Sequence, residues 1–259
     1  MATFLFDGIV FGPVQSRRLG VSLGINLLPE ERKYCNFDCI YCECGSDVMY
    51  RTGKSNFPAR TDVYIALERK LVAMQQAGSL PDAVTFAGNG EPTVHPEFAG
   101  IIFDTVSLRD RYAPQSKISV LSNATMLYRQ EVVNALRHTD MPILKLDSAI
   151  DATLELLNRP AKKVAVSQLI EQLKLLGDNC IVQTMFLRGT YLNRTVDNTT
   201  AEEVTAWESA ILAIRPKLVT IYTIARDTPV ETLYKISGDR LKEIAELIEK
   251  HGIPVQVSE

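Results

Sequence analysis

Residues 32–45 read RKYCNFDCIYCECG and hold four of the five cysteines in the chain. Cys35, Cys39 and Cys42 follow the spacing C-x3-C-x2-C, and Cys44 comes two residues later. Thiolates are soft ligands that favour zinc, Cu(I) or iron–sulfur clusters. The stretch therefore predicts a metal centre.

Composition gives this chain no need of disulfides. It has 259 residues, of which 46% are hydrophobic and 23% charged, and a chain of that size builds an ample core. The start MATFLFDGIVFGP has no signal-peptide pattern, and no apolar run reaches the roughly 18 residues of a membrane span. These features predict a cytoplasmic protein away from membranes, in which thiols stay reduced.

The net charge of −3 gives no global basic field of the kind that many nucleic-acid binders carry. A local basic patch at Arg17 and Arg18 leaves nucleic acid open as a partner. These two arginines are either ordinary surface charges or anchors for a substrate or for the cysteine loop.

Short β-branched runs alternate with segments of helical periodicity along most of the chain. The predicted strands are 21–27, 83–87, 118–122, 143–147, 181–186 and 218–223. Apolar stripes predict helices between them, with Thr200 and Ser237 as N-caps of the last two. Six strand-then-helix repeats predict a parallel sheet covered by helices. Periodicity does not say whether that sheet is open or curled into a partial barrel.

Two kinds of metal site suit the cysteines. A four-cysteine zinc site usually splits its ligands into two pairs across a longer loop, so contiguous cysteines make zinc the less favoured alternative. A cluster held by Cys35, Cys39 and Cys42 leaves one iron without a protein ligand, and an open position is how a metal site does chemistry. Cys44 and Cys180 are left over, too few for a second all-cysteine cluster.

The motif CNFDCIYC, with Tyr41 before its last cysteine, resembles the signature of the radical SAM superfamily. The segments FGPVQSRRLGVSLGIN (11–26) and GNGEPT (88–93) resemble a subgroup allied to wyosine tRNA base synthases. The resemblance covers residues from about 11–226. It implies an α/β fold, a partial (β/α)6 barrel in a single domain of residues 1–259, with a C-terminal helix and strand at 237–257.

The resemblance also implies the chemistry. Cys35, Cys39 and Cys42 would hold one [4Fe–4S] cluster, and S-adenosylmethionine would chelate the fourth iron through its amino and carboxylate groups. A one-electron donor such as flavodoxin or ferredoxin would reduce the cluster, which is oxygen-sensitive. Cleavage of the sulfonium would give methionine and a 5′-deoxyadenosyl radical that abstracts hydrogen from a substrate.

Further residues acquire a role only through the resemblance. The expected cofactor contacts are Tyr41, Gly88, Asn89, Gly90, Glu91, Ser122, Asn123, Lys145, Asp147 and Ser148. Each has a structural alternative: a plain turn for 88–91, helix capping for Ser122 and Asn123, and an ion pair for Lys145 with Asp147, which share a strand face. Another group of polar residues, expected at the carboxyl rim of the sheet, is Gln183, Arg188, Tyr222 and Arg226.

Four functions remain open from the sequence. A small metabolite or nucleobase is the favoured substrate, because the chain is little more than the core barrel and is acidic overall. The alternatives are modification of a tRNA base, activation of a partner protein, and a non-enzymatic binding module that carries zinc or a cluster.

Overall fold

A curled parallel sheet with helices on its outer side makes up most of the structure, a computed structural model that describes residues 4–16, 18–45 and 56–258. In chain order the elements are β1 (Val10–Ser16), β2 (Gly20–Ile25), α1 (Arg60–Gln76), β3 (Ala83–Phe86), α2 (Phe98–Tyr112), β4 (Lys117–Ser122), α3 (Gln130–Arg137), β5 (Met141–Lys145), α4 (Asp151–Asn158), α5 (Val166–Lys174), β6 (Ile181–Met185), β7 (Leu187–Tyr191), β8 (Arg194–Asp197), α6 (Ala201–Ile214), β9 (Leu218–Tyr222), β10 (Leu233–Lys235), α7 (Gly238–Glu249) and β11 (Val255–Ser258). Arg17 and most of the cysteine-to-α1 connection lie outside the described residues.

The main sheet has the order β1-β2-β3-β4-β5-β6-β9-β11. Strands β2 to β6, β9 and β11 pair in parallel, and β1 pairs antiparallel with β2 as a hairpin. The six predicted strands correspond to β2, β3, β4, β5, β6 and β9, in chain order across the sheet. The predicted partial (β/α)6 barrel is therefore confirmed, with the sheet forming a half-barrel.

The outer face of the sheet packs against the apolar stripes of the helices. In α1 the stripe is Val63, Leu67, Leu71 and Met74, all buried in one continuous core with the strand side chains. The strand positions that face the helices are apolar and belong to this core. The predicted caps are also present: Thr200 accepts from the Glu203 amide at 3.3 Å.

The structure adds elements that the periodicity did not predict. A small sheet of order β10-β7-β8 follows β6, and α4 follows β5. Strands β7 and β8 are short and partly exposed, so they lack an apolar run. Leu192 and Asn193 join them with φ of +50° and +59°, a turn whose only sequence signal is the asparagine. Within the described residues, no helix is long and apolar enough to cross a membrane.

Candidate metal centre

The cysteines lie on the connection that leaves the carboxyl end of β2, named here the cysteine loop (residues 33–45). Cys39 is buried, and Cys35 and Cys42 are half-buried. Backbone turns fold the loop on itself, since the Cys42 amide donates to the Cys39 carbonyl at 3.0 Å and the Gly45 amide to the Cys42 carbonyl at 2.9 Å. The predicted metal ligands thus share a compact turn at the rim of the half-barrel.

Apolar side chains between the cysteines hold the loop down. Phe37 and Ile40 are each 2% exposed and Tyr41 is 7% exposed. They pack in a second core with Leu157 of α4, Leu187 of β7 and their neighbours. Burial of each large side chain contributes about 1.5–3 kcal/mol, so this packing fixes the loop as well as covering it.

Backbone hydrogen bonds fasten the cysteine loop to the last turn of α4 and the residues after it. The Ile40 amide donates to Leu157 at 3.0 Å, the Asp38 amide to Asn158 at 2.9 Å, and the Ala161 amide to Asn36 at 2.9 Å. The loop therefore behaves as an added strand along this segment, and its thiols take their positions from two neighbouring elements.

On its other side the loop pairs with the glycine-rich turn after β3. The Tyr34 amide donates to the Asn89 carbonyl at 2.7 Å, and the Glu91 amide donates to the Tyr34 carbonyl at 3.1 Å. Gly90 has φ +142°, and a Cβ there would lie 2.1 Å from the Tyr34 oxygen. Only glycine allows this contact, so the glycine positions the cysteine loop.

Gly90→Ala is expected to displace the cysteine loop, because a methyl group cannot share space with the Tyr34 carbonyl. Reconstituted protein should retain less than about half the iron of the parent, with a destabilisation of about 2–3 kcal/mol. Iron analysis and denaturant unfolding check both effects. Gly78→Ala is a matched control, since Gly78 has φ +65° but an added Cβ meets nothing within 4 Å. Normal iron content in Gly90→Ala would contradict the role given to this glycine.

Nitrogen donors surround the thiols. The Asn158 side-chain amide lies 3.3 Å from Cys39 Sγ, the Phe37 backbone amide 3.4 Å from Cys35 Sγ, and the Asn123 side-chain amide 3.7 Å from the same sulfur. Hydrogen bonds of this kind stabilise the negative charge of a thiolate. Burial nevertheless raises the pKa of Cys35, which the Phe37 amide and Lys33 oppose only in part, and burial raises the pKa of Cys39 to about 11.

Lys33 is a buried cation among these thiols. Its side chain is 3% exposed, and Nζ donates to Asp38 Oδ1 and to the Gly45 carbonyl, both at 3.0 Å. Burial opposes the charge, but attraction to Cys42, Cys35 and Cys39 raises the pKa of Lys33 above its usual value. Lys33 thus supplies permanent positive charge beside the sulfurs.

Cys44 is closer to the other thiols than its place outside the spacing motif indicates. Its Sγ lies 3.4 Å from the Gly88 carbonyl oxygen, and its S–H makes a hydrogen bond to the Cys42 sulfur. That bond, against the effect of burial and together with Lys33, lowers the pKa of Cys42 to about 6. Cys180 is fully buried among apolar side chains of the main core and does not belong to this site. Among the described residues, no three His, Cys, Asp or Glu side chains converge on one point as ligands of a single metal ion.

A buried polar network joins the end of β5 to the cysteine loop. Asp147 accepts hydrogen bonds from the Tyr41 hydroxyl, from the Asn158 side chain at 2.7 Å and from the Met185 amide at 3.0 Å. Lys145 Nζ lies 3.4 Å from Asp147 and donates to the Tyr41 oxygen at 2.9 Å. The ion pair anticipated between Lys145 and Asp147 is present. Burial opposes the Lys145 charge, but Asp147 raises its pKa above the usual value.

Glu91 is a brace between the glycine-rich turn and β4. Its carboxylate accepts from the Thr93 amide at 3.1 Å and from the Thr93 hydroxyl, and it accepts from the Ser122 hydroxyl at 2.8 Å and the Asn123 amide at 2.6 Å. Burial raises the pKa of Glu91, and these four hydrogen bonds oppose the rise. Both oxygens of the Glu91 carboxylate already accept hydrogen bonds from the protein. This favours a structural role for Glu91 over direct contact with a cofactor.

Two of the expected cofactor contacts turn their side chains elsewhere. Asn89 bonds the Phe6 amide at 2.8 Å and the Pro29 carbonyl at 2.9 Å. Ser148 donates to Glu203 at 2.7 Å, on the side of α6. These side chains fasten neighbouring segments, and their place in a cofactor site is at most that of positioning residues.

The rim group separates in the structure. Gln183 and Tyr222 lie on the inner face of the sheet beside Lys145, whereas Arg188 is exposed on β7. Arg226 pairs with Glu43 at 2.6 Å, near the end of the cysteine loop. Arg188 therefore lies apart from Gln183 and Tyr222, and the four residues do not form one group.

The sequence analysis missed Lys33 and Asn158, which the structure places against the thiols. Lys33 stands two residues before Cys35, and only its burial distinguishes it from a surface lysine. Asn158 is the last residue of α4, a helix that the periodicity did not predict, so no sequence signal led to it.

A half-barrel with buried thiols on a loop at the carboxyl edge defines an α/β enzyme whose site lies at that edge. The family model described as "Radical SAM superfamily" matches residues 33–197. The chain belongs to this superfamily, which uses a [4Fe–4S] cluster and S-adenosylmethionine. The predicted membership of the radical SAM superfamily is thereby confirmed.

Curated relatives and solved structures are similar to this chain over much of its length. A protein named "GTPase Obg" from Brachyspira hyodysenteriae is 28% identical over 93% of this chain and 33% of its own length. A UPF0026 protein from Methanocaldococcus jannaschii is 31% identical over 69% of this chain and 54% of its own length. The chain thus spans about a third to a half of these relatives. A radical SAM methyltransferase from Sphaerobacter thermophilus has the same fold, with TM-score 0.67, 13% identity, and 92% of this chain and 65% of that chain covered.

Proposed function

We propose that Cys35, Cys39 and Cys42 hold three irons of one [4Fe–4S] cluster, and that the chain uses it with S-adenosylmethionine to abstract hydrogen from a small-molecule or nucleobase substrate. The observation that carries the proposal is the set of three thiols on one buried loop, with amide donors and a buried lysine directed at them.

The donor set fits this cluster better than a single metal ion. A [4Fe–4S] cluster takes one thiolate on each of three irons, so its ligands need not converge on one point. Thiolates gain from N–H donors and from a nearby cation. A zinc ion would need four ligands around itself, and the described side chains offer no such group.

We assign the cofactor edge to the ends of β3, β4 and β5. Gly88 and Gly90 expose backbone to a ligand, since both have positive φ and no side chain. Ser122, Asn123 and Glu91 hold this turn against β4. Tyr41, Lys145 and Asp147 present a polar face beside the thiols, where the lysine can meet the carboxylate of the methionine moiety. Asn89 and Ser148 are left as positioning residues.

A [4Fe–4S] cluster held by Cys35, Cys39 and Cys42 would supply the one-electron reduction by which S-adenosylmethionine is cleaved. The residues of this chain bind, orient and shield. The apolar packing around Phe37 and Ile40 keeps water from one side of the thiols. Radical SAM enzymes need an electron donor, and we assign that role to a flavodoxin or a ferredoxin.

Anaerobic reconstitution tests the proposed function. Protein purified without oxygen and supplied with iron and sulfide should bind about four of each per chain. Addition of a reductant and S-adenosylmethionine should yield 5′-deoxyadenosine and methionine, measured by chromatography. Zinc in place of iron, or iron with no 5′-deoxyadenosine, would overturn the proposal and favour a binding module.

Lys33→Met is expected to make the cluster harder to reduce. Reduction adds negative charge, which a buried cation stabilises; at an effective dielectric constant of about 20, one charge several Å away contributes on the order of 1–3 kcal/mol. The midpoint potential should fall by roughly 50–100 mV, measured by redox titration of the reconstituted protein. Lys33→Arg keeps the positive charge, so its midpoint potential should lie close to that of the parent protein. An unchanged potential in Lys33→Met would show that this cation does not act on the cluster.

A further inference from the structure

Basic side chains gather on the segment that follows α4 and at the start of β8. Residues 155–163 read ELLNRPAKK and hold three cations and one acid, and β8 begins with a further cation. The four cations are named here the basic patch: Arg159, Lys162, Lys163 and Arg194. In a chain of net charge −3 they form a local region of opposite sign.

The first part of the basic patch lies directly on the loop that carries the thiols. Phe37, between Cys35 and Cys39, pairs in a β-bridge with Pro160. The Ala161 amide donates to the carbonyl of residue 36 at 2.9 Å. The two lysines follow immediately along the chain and are exposed, so their charges lie beside the cysteine loop.

The Tyr191 side chain joins the two parts of the basic patch. Arg159 Cζ lies 5.5 Å from the centroid of the Tyr191 ring. Tyr191 is also paired in register with Arg194 across the β7–β8 hairpin, and residues paired in this way point to the same face of a sheet. Tyr191 packs against the second core together with Phe37, which ties the hairpin to the cysteine loop.

Most of the charge of the basic patch is not neutralised within the protein. Arg159 pairs with Asp38 at 3.1 Å, an acid that Lys33 also contacts. Among the described residues, the other three cations of the patch form no ion pair. Unpaired charges of one sign on a surface attract a macromolecule of the opposite sign and raise its rate of association.

An exposed apolar side chain lies next to these cations. Leu192, in the turn between β7 and β8, is 75% exposed and follows Tyr191 in the chain. An apolar and aromatic centre with a charged rim is the usual composition of a protein interface. A leucine offers a nucleic acid neither a stacking face nor a donor for phosphate, so the surface suits an acidic protein better.

The position of the basic patch indicates what that protein does. A protein bound there lies against the loop that carries the proposed cluster ligands, and a transferred electron needs that short separation. Complexes between electron-transfer proteins are small and transient, which a few cations and one leucine would give. Resting on the proposed function, we propose that the basic patch docks an acidic one-electron carrier protein, which is oxidised by one electron as the cluster is reduced by one.

Binding of an acidic flavodoxin and of an acidic ferredoxin to the reconstituted protein tests this inference, with Kd measured by anaerobic calorimetry. Lys162→Glu/Lys163→Glu should raise the Kd of the preferred carrier at least about tenfold, and added salt should weaken its binding to the parent. Arg69→Glu/Lys242→Glu is the matched control, because it makes the same change of charge at exposed positions of α1 and α7. Its Kd should stay within about twofold of the parent value.

The rate of cluster reduction separates docking from damage to the cluster. Reduction by the carrier should slow at least about tenfold in Lys162→Glu/Lys163→Glu. Reduction by photoreduced deazaflavin, a small molecule that needs no docking surface, should be unchanged in the same variant.

Equal Kd values in the parent and in Lys162→Glu/Lys163→Glu, equal weakening by the control variant, or failure of the parent to bind either carrier would overturn the inference. Transfer RNA that binds the parent and not Lys162→Glu/Lys163→Glu, while the carriers bind both alike, would assign the patch to nucleic acid instead. If deazaflavin and S-adenosylmethionine yield 5′-deoxyadenosine but the carriers ignore the patch, the docking surface is wrong and the proposed function stands. If they yield none, the proposed function fails whatever the Kd values are.

Discussion

Cys42→Ala is expected to abolish formation of 5′-deoxyadenosine, with a loss of at least about 1,000-fold. With only two thiolates left, one iron of the cluster loses its protein ligand. Cys42 is also the sulfur that accepts hydrogen bonds from the Cys44 thiol and from Lys33. Iron bound after reconstitution should fall to a small fraction of the parent value. Iron analysis and chromatography of the products measure both losses.

Cys44→Ala supplies the matched control, because it removes a thiol from the same turn without touching the spacing C-x3-C-x2-C. It should keep the iron content and most of the product formation. The Cys44 sulfur lies 3.4 Å from the Gly88 carbonyl oxygen. Loss of this contact should weaken the packing of the turn only modestly. Loss of the cluster in Cys44→Ala, with retention in Cys42→Ala, would exchange the roles assigned to the two thiols.

Asp147→Ala is expected to destabilise the fold by about 3–5 kcal/mol. The Asp147 side chain is fully buried and faces the Lys145 ammonium at 3.4 Å. Its removal takes the carboxylate partner from the Lys145 cation and the acceptor from the Tyr41 hydroxyl, both in a buried site. Denaturant unfolding of the reconstituted protein measures the loss.

Lys174→Ala is the control for the ion pair, since Lys174 and Glu171 pair at 2.6 Å on the surface of α5. An exposed pair of this kind changes stability by no more than about 0.5–1 kcal/mol. Asp147→Asn should be intermediate, as it keeps hydrogen-bonding atoms but not the charge. A loss below about 1 kcal/mol in Asp147→Ala would mean that the network does not hold the cysteine loop to β5.

The sheet could be predicted because its strands are buried on both faces. The runs at 83–87, 118–122 and 143–147 are mostly apolar, and each became a strand of the half-barrel. The curvature came from the resemblance carried by CNFDCIYC, because periodicity does not distinguish an open sheet from a curled one. The small sheet of β7, β8 and β10 escaped prediction because its strands are short and partly exposed.

Candidate site residues could be proposed from the sequence where the residue type indicates its chemistry, and could not be proposed where the role depends on burial. Three cysteines at the spacing C-x3-C-x2-C indicate ligation of a soft metal without knowledge of the fold. Lys33 and Asn158 act through their distance from those thiols, which depends on how the loop packs against α4. Glu91 illustrates the opposite limit, since its motif drew attention to it but its hydrogen bonds belong to Thr93, Ser122 and Asn123.

Electron paramagnetic resonance of the reduced, reconstituted protein tests the central claim most directly. With Cys35, Cys39 and Cys42 as the three protein ligands, one iron stays open, so the spectrum of the reduced [4Fe–4S] cluster should change when S-adenosylmethionine is added. Cys44→Ala should show the same spectral change. Alanine variants of Cys35, Cys39 and Cys42 should each lack the signal of the reduced cluster. A spectrum that S-adenosylmethionine leaves unaltered, or a full signal in Cys35→Ala, would contradict a cluster with an open iron held by these thiols.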